Sequence, residues 1–301
     1  MAQDTLGISL ALASAICFAA NRSLVSKPLL KTGSMIPTYI SLLVGIAVTG
    51  MASLIFGQEG SLLLVTIIVV AIFSLVGVFH FGIARQLSFV AIKNVGANQS
   101  SSLLSTQVLY SIVFAIALLG EAVNVELLAG AGMILGGVLV LERRSGALRR
   151  GGNTRKGYTA ALFAALIFGL TPILIRYGNS IFQYFIIATF IAYLAATIIF
   201  SLTVPPRVIA ADLRGMPRSI LGAYIAAGIF AASAQLSRFG ALSFSPVVLV
   251  APLLSAHPIF TMLFTRKLAK ELETFNLRLI LSIALVVVGA ILVSYSAGIP
   301  S

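Results

Sequence analysis

Charge is what this sequence lacks most. Only 9% of its 301 residues are Asp, Glu, Lys or Arg, against about 25% in an average soluble domain. So few solvated groups cannot cover a water-facing surface. With 59% apolar residues, that excludes both a soluble globular enzyme and a disordered chain. Acid is scarcer than base, 8 residues against 20. The acids are Asp4, Glu59, Glu121, Glu126, Glu142, Asp212, Glu271 and Glu273, and all fall near the ends of apolar runs. The single cysteine, Cys17, cannot form an internal disulfide. Motifs of chemistry are missing too. There is no G-x-x-x-x-G-K-[ST] loop to drive transport with ATP, and no H-E-x-x-H or G-x-S-x-G motif. An enzyme is therefore not expected, nor any cofactor or metal. No basic region precedes the first apolar run at Leu6, so no cleavable leader is expected.

What is present is length of apolar sequence. A membrane-spanning helix needs about 20 such residues. Uncharged stretches cover Thr5–Asn21, Met35–Gly57, Gly60–Ala84, Asn94–Gly120 and Leu127–Leu141. They resume with Gly157–Ile175, Tyr177–Pro206, Ser219–Ser237, Phe239–Thr265 and Leu279–Ser301. Ten spans are expected, the third continuing past Arg85 and the eighth past Arg238. The runs are continuous rather than alternating, which argues for helices and against an outer-membrane barrel.

The net charge of +12 would suggest nucleic acid in a soluble protein. Here 18 of the 20 basic residues lie in links after odd-numbered spans, the exceptions being Arg176 and Arg238. That asymmetry is an orientation signal. It places those links in the cytoplasm and both termini outside. The expected surroundings are a lipid bilayer, with no nucleic-acid partner.

An internal repeat appears at an offset of about half the chain. The run from Gly7 to Phe18 resembles that from Gly157 to Phe168, and Leu103-Leu104-Ser105 matches Leu253-Leu254-Ser255. Later the offset lengthens by two, pairing Glu121, Gly130 and Gly137 with Glu273, Ser282 and Gly289. Five spans per repeat is an odd number, so the halves must be inverted relative to each other. The fold class expected is all-α integral membrane, with ten transmembrane helices as two inverted five-helix repeats. Residues 1–142 form the first repeat, 143–156 a basic cytoplasmic linker and 157–301 the second repeat.

At Leu119-Gly120-Glu121, Gly130 and Gly137, and at Glu273 and Gly289, the chain resembles the drug/metabolite transporter superfamily in its EamA-like branch. The family's midspan proline is matched by Pro258 and replaced by Val108 in the first half. Its usual Trp-Gly is Phe18-Ala19 and Phe168-Gly169. The resemblance implies a secondary transporter, an exporter or permease, in a bacterial cytoplasmic membrane. A flippase for a lipid-linked sugar, a membrane enzyme and a structural membrane protein remain alternatives at this point. Small multidrug-resistance relatives hold cations on a first-helix Glu, whereas this chain has no carboxylate between Thr5 and Val25. The expected substrate is therefore a small anionic or zwitterionic organic metabolite.

Polar residues at bilayer depth require a reason, since an ionised group there costs about 3 kcal/mol or more. A midplane site between inverted repeats should be lined by equivalent positions of both halves. That selects Gln107 with His257, Arg85 and Ser88 with Gln235 and Arg238, and Asn21 with Thr171. His257 is the candidate for proton coupling. His80 ranks lower, because five residues of α-helix turn it about 140° from Arg85. Glu121 is expected to satisfy the free amides of a helix start.

Overall fold

The computed structural model describes residues 2–29, 32, 35–95, 103–142, 154–204, 207, 209, 213–257, 259–260, 264 and 277–296. Among them there is no strand. Helices answer the solvent: lipid offers no partner to a backbone amide, so each segment must bond within itself. In chain order the helices are α1 (Ala2–Leu29), α2 (Met35–Ile55), α3, α4 (Gln107–Leu119) and α5 (Val125–Glu142). Then follow α6 (Thr154–Ile181), α7 (Phe185–Thr203), α8 (Arg218–Phe244), α9 (Val247–Leu254) and α10 (Leu277–Ser296). Helix α3 is composite: α-helical over Ile67–Val76, π-helical over Gly77–Ala84 and α-helical again over Arg85–Val95.

Among the described residues, six helices are long and apolar enough to cross a membrane: α1, α2, α3, α6, α7 and α8. The apolar parts of α4, α5 and α10 are shorter, and α9 has 8 residues. Both α3 and α8 run past their arginines, as their flanking apolar residues require. Pro252 lies inside α9, which stops at Leu254, while Pro258 lies outside the described residues. Leu54, Ile68, Val113, Leu202 and Ile291 are all exposed, on a surface that suits lipid and not water.

The helices pack as antiparallel pairs across the two halves. Along α1 and α8 the partners descend together: Gly7 meets Ser245, Ser14 donates to the carbonyl of Ala234 at 2.7 Å, and Asn21 reaches that of Ala227. The same descent joins α3 to α6, from Phe73 against Gly178 to Ala91 against Ala160. Small residues let these backbones approach: Ala11, Ala15, Ala19, Ala231, Ala232 and Ala234 are all buried.

Two of the pairs are made of repeat mates. Helix α2 lies against α7, with Tyr39 on Phe200, Gly45 on Tyr193 and Gly50 on Phe190. Helix α5 lies against α10, with Gly130 on Gly289 and Val293 and, reciprocally, Gly289 on Ile134. In both pairs the numbers rise in opposite directions, so the mates are antiparallel.

The α5–α10 crossing admits no side chain at its centre. A methyl group on Gly289 would sit 2.6 Å from the Gly130 carbonyl oxygen. Gly289→Ala should therefore force the helices apart and cost about 1–3 kcal/mol, read as a lowered melting temperature of purified protein. Gly132→Ala is the control, because a Cβ there meets nothing within 4 Å. Equal melting temperatures for the two variants would show that the crossing tolerates the methyl.

Candidate functional site

The polar centre of the molecule is built where α3, α6 and α8 meet. His80 on the π-helical segment faces Thr171 on α6 and Gln235 and Arg238 on α8; all four are buried. Arg238 Nη1 lies 2.9 Å from Nε2 and 3.3 Å from Nδ1, so the guanidinium favours Nε2. The Thr171 hydroxyl donates to the Phe168 carbonyl at 3.2 Å, so it must accept from His80, whose Nδ1 lies 2.9 Å away. Nδ1 therefore carries the proton. Nε2 is then an acceptor, and it receives Arg238 Nη1 at 2.9 Å and Gln235 Nε2 at 3.2 Å. Arg238 Nη2 also donates to Thr171 Oγ1 at 3.3 Å. A ring nitrogen that accepts from guanidinium holds no proton, so His80 is neutral in this arrangement.

The π-helix explains why His80 is here. In an α-helix it would point away from Arg85, as the sequence alone predicts. The bonded ring of a π-helix spans five residues instead of four, so residues five apart come round to nearly the same face. His80 and Arg85 are five apart, and Arg85 lies within electrostatic reach of the ring. His80 therefore does not face away from Arg85, as regular α-helix geometry would have it.

Arg85 extends the polar centre toward α2 and α7. Its Nη1 donates to Ser41 Oγ at 3.2 Å, and its guanidinium sits 5.6 Å from the centre of the Phe81 ring. Phe81 in turn stacks on Tyr193 of α7, with ring centres 4.5 Å apart. The next residue, Gln86, donates to Thr38 at 3.3 Å. Phe168, which stands where the family usually has Trp, places its ring edge-on to His80 at 4.8 Å. Two buried polar atoms of this region have no hydrogen-bond partner: Arg238 Nε and Gln235 Oε1. They offer one donor and one acceptor.

Thr171, Gln235 and Arg238 are thus brought together around His80, with Arg85 beside them. The other candidates are placed elsewhere. Asn21 Nδ2 bonds the Ala227 carbonyl at 2.7 Å and joins α1 to α8. Ser88 bonds back to the Arg85 carbonyl at 2.7 Å, within its own helix. Gln107 opens α4 and its backbone carbonyl packs beside Gly169 of α6. His257 sits in the turn after α9, where Nδ1 donates to the Leu254 carbonyl at 3.1 Å, within electrostatic reach of Arg22. Ser41, Thr38, Gln86 and Tyr193 escaped the sequence reading. Their partners are distant in the chain, and isolated polar residues in α2 and α7 look like ordinary helix-packing groups.

The signature of the EamA-like transporter family matches twice, over residues 5–143 and 155–295. The chain belongs to that family. Its members are transporters rather than enzymes, and the two matches agree with the repeat read from the sequence. A solved structure described as "Crystal structure of protein" superposes on this transporter with a TM-score of 0.76. It covers 98% of each chain at 20% identity, which shows a shared fold. No curated protein matches the chain in sequence.

Proposed function

We propose that this transporter carries a small anionic or zwitterionic organic metabolite by alternating access, with the substrate seated at the His80–Arg238 cluster. One observation carries the reading. Two guanidinium groups, Arg85 and Arg238, stand inside the bundle, and among the described residues neither is paired with a carboxylate. A charge held in such a place without a counter-ion is costly. A ligand carboxylate would supply the missing charge and accept a two-pronged bond from guanidinium. Arg238 Nε is free to donate and Gln235 Oε1 to accept, which suits a solute carrying both an acid and a donor group.

In the same reading the anion would bring a proton with it. While Arg238 donates to His80 Nε2, that nitrogen cannot be protonated. A carboxylate that draws Arg238 away frees Nε2 and adds negative charge beside it, so anion and proton bind together. The groups around the ring are Phe81 and Arg85 on α3, Phe168 and Thr171 on α6, and Gln235 and Arg238 on α8. Of the two histidines, His80 is the one this exchange involves; His257 keeps its Nδ1 on a backbone carbonyl. The antiparallel mates α2/α7 and α5/α10 support inverted repeats. The basic links support an orientation with both termini outside, and the family resemblance suggests a bacterial cytoplasmic membrane.

Uptake into proteoliposomes tests the reading. A panel of carboxylates, zwitterions and quaternary ammonium compounds should yield saturable uptake of at least one anion or zwitterion. Saturable uptake of the ammonium compounds alone would reject it.

A further inference from the structure

Gly120 ends α4 with φ 65° and ψ 25°, the left-handed conformation that glycine adopts freely. The turn carries Glu121 across to the second repeat. Its Oε1 and Oε2 accept the backbone N–H groups of Val247 and Val248, each at 2.9 Å. Those are the first two residues of α9, whose amides have no partner within the helix. The helix that follows Glu121 in the chain is capped by a different residue: Asn124 Oδ1 accepts Leu127 N–H at 2.9 Å at the start of α5. On the other side of the α8–α9 junction, Arg176 of α6 donates from Nη1 to the carbonyls of Leu242 and Ser243, both at 3.0 Å. Acid on helix start and base on helix end are the signs that the peptide dipoles favour. Glu121 and Arg176 also line one cavity of about 410 Å³ with Asn179 and Ser180, so the groups have space in which to part.

We propose that Glu121 is a latch between the repeats, whose grip on α9 holds the transporter shut at the end where α8 passes into α9. The proposal rests on the alternating-access reading above. Opening that end requires the first repeat, which carries Glu121, to separate from the second, which carries Val247 and Val248. Two charge-assisted hydrogen bonds must break, and both amides must find water. The Leu119-Gly120-Glu121 motif then has a physical role in each part: a helix end, a left-handed turn and the carboxylate that the turn aims.

The test uses the full chain in proteoliposomes with Cys17→Ala, and single reporter cysteines read by an impermeant maleimide. Ser243→Cys reports on the latched end. Asn94→Cys reports on the other end, since Asn94 is the repeat mate of Phe244. Glu121→Ala should raise the Ser243→Cys labelling rate about tenfold and lower that of Asn94→Cys. Glu121→Gln, which keeps one accepting oxygen, should fall between. Gly120→Ala provides a second route: its Cβ meets nothing within 4 Å, so it strains only the turn and should shift both reporters the same way by less. Unshifted reporters in all three variants would overturn the latch. A rise at both ends would also overturn it, reducing Glu121 to a helix cap whose loss loosens the fold. Opposed shifts in a chain that moves no solute would sink the transport reading and keep the latch. Normal transport with unshifted reporters would do the reverse.

Discussion

Arg238→Ala should abolish saturable binding of the transported anion at concentrations that saturate the native protein. The guanidinium offers the free Nε donor, together with Nη groups now spent on His80 and Thr171. Hydrogen bonds from a charged donor contribute about 1.5–3 kcal/mol each. Losing a two-pronged contact should therefore weaken binding by about 3–6 kcal/mol, roughly 10²- to 10⁴-fold. Arg238→Lys keeps the charge but not the planar fork, and should recover only part of the loss. Arg85→Ala should have a smaller effect of the same sign, because Arg85 is only half-buried and already leans on Ser41. Ligand-induced thermal shift of purified protein measures all three. If Arg238→Ala is stabilised by the same ligand as fully as the native chain, the cluster is a packing device and the substrate sits elsewhere.

The pH profile carries the second large effect. If the anion arrives with a proton on His80, apparent affinity should fall as pH rises through the titration of the bound state. The sign follows from proton counting: the complex holds one more proton than the empty site, so binding is favoured at low pH. The limiting slope is about tenfold per pH unit. His80→Gln keeps a hydrogen-bonding side chain and cannot titrate. It should flatten the profile while retaining binding. His257→Gln should leave the slope intact. A flat profile in the native protein, or a slope lost in His257→Gln and kept in His80→Gln, would remove His80 from the coupling role.

Much of this was legible in composition and period. Charge too sparse for a water-facing surface left helices in lipid as the solution, and six helices of the required length and apolarity are present among the described residues. The repeat also survives translation into structure. Gly130 and Gly289, which the offset comparison pairs with Ser282 and Gly137, meet each other at a crossing where neither can bear a methyl group. Arg85, Thr171, Gln235 and Arg238 were selected because equivalent positions of two inverted halves should face each other. Three of these four bond into the central cluster and Arg85 lies alongside, while Asn21, Ser88, Gln107 and His257, selected by the same argument, are placed elsewhere.

What pattern could not supply was local helical geometry and cross-repeat reach. Assigning His80 to the wrong face assumed 3.6 residues per turn. The widened turn over Gly77–Ala84 reverses that assignment, and no hydrophobic period announces a π-helix eight residues long. The tautomer of His80 depends on which oxygen the Thr171 hydroxyl serves, a matter decided by Phe168 one turn away. Glu121 shows the same division. A carboxylate beside a helix start is a readable sign, but the nearest start in sequence is α5, which Asn124 caps. That the acid serves α9 instead follows from the left-handed turn at Gly120 and from the packing of α9 against α4. Apolar period and charge asymmetry are additive along a chain and can be read from it. Which donor meets which acceptor is a property of approach between distant segments, and only the packed helices determine it.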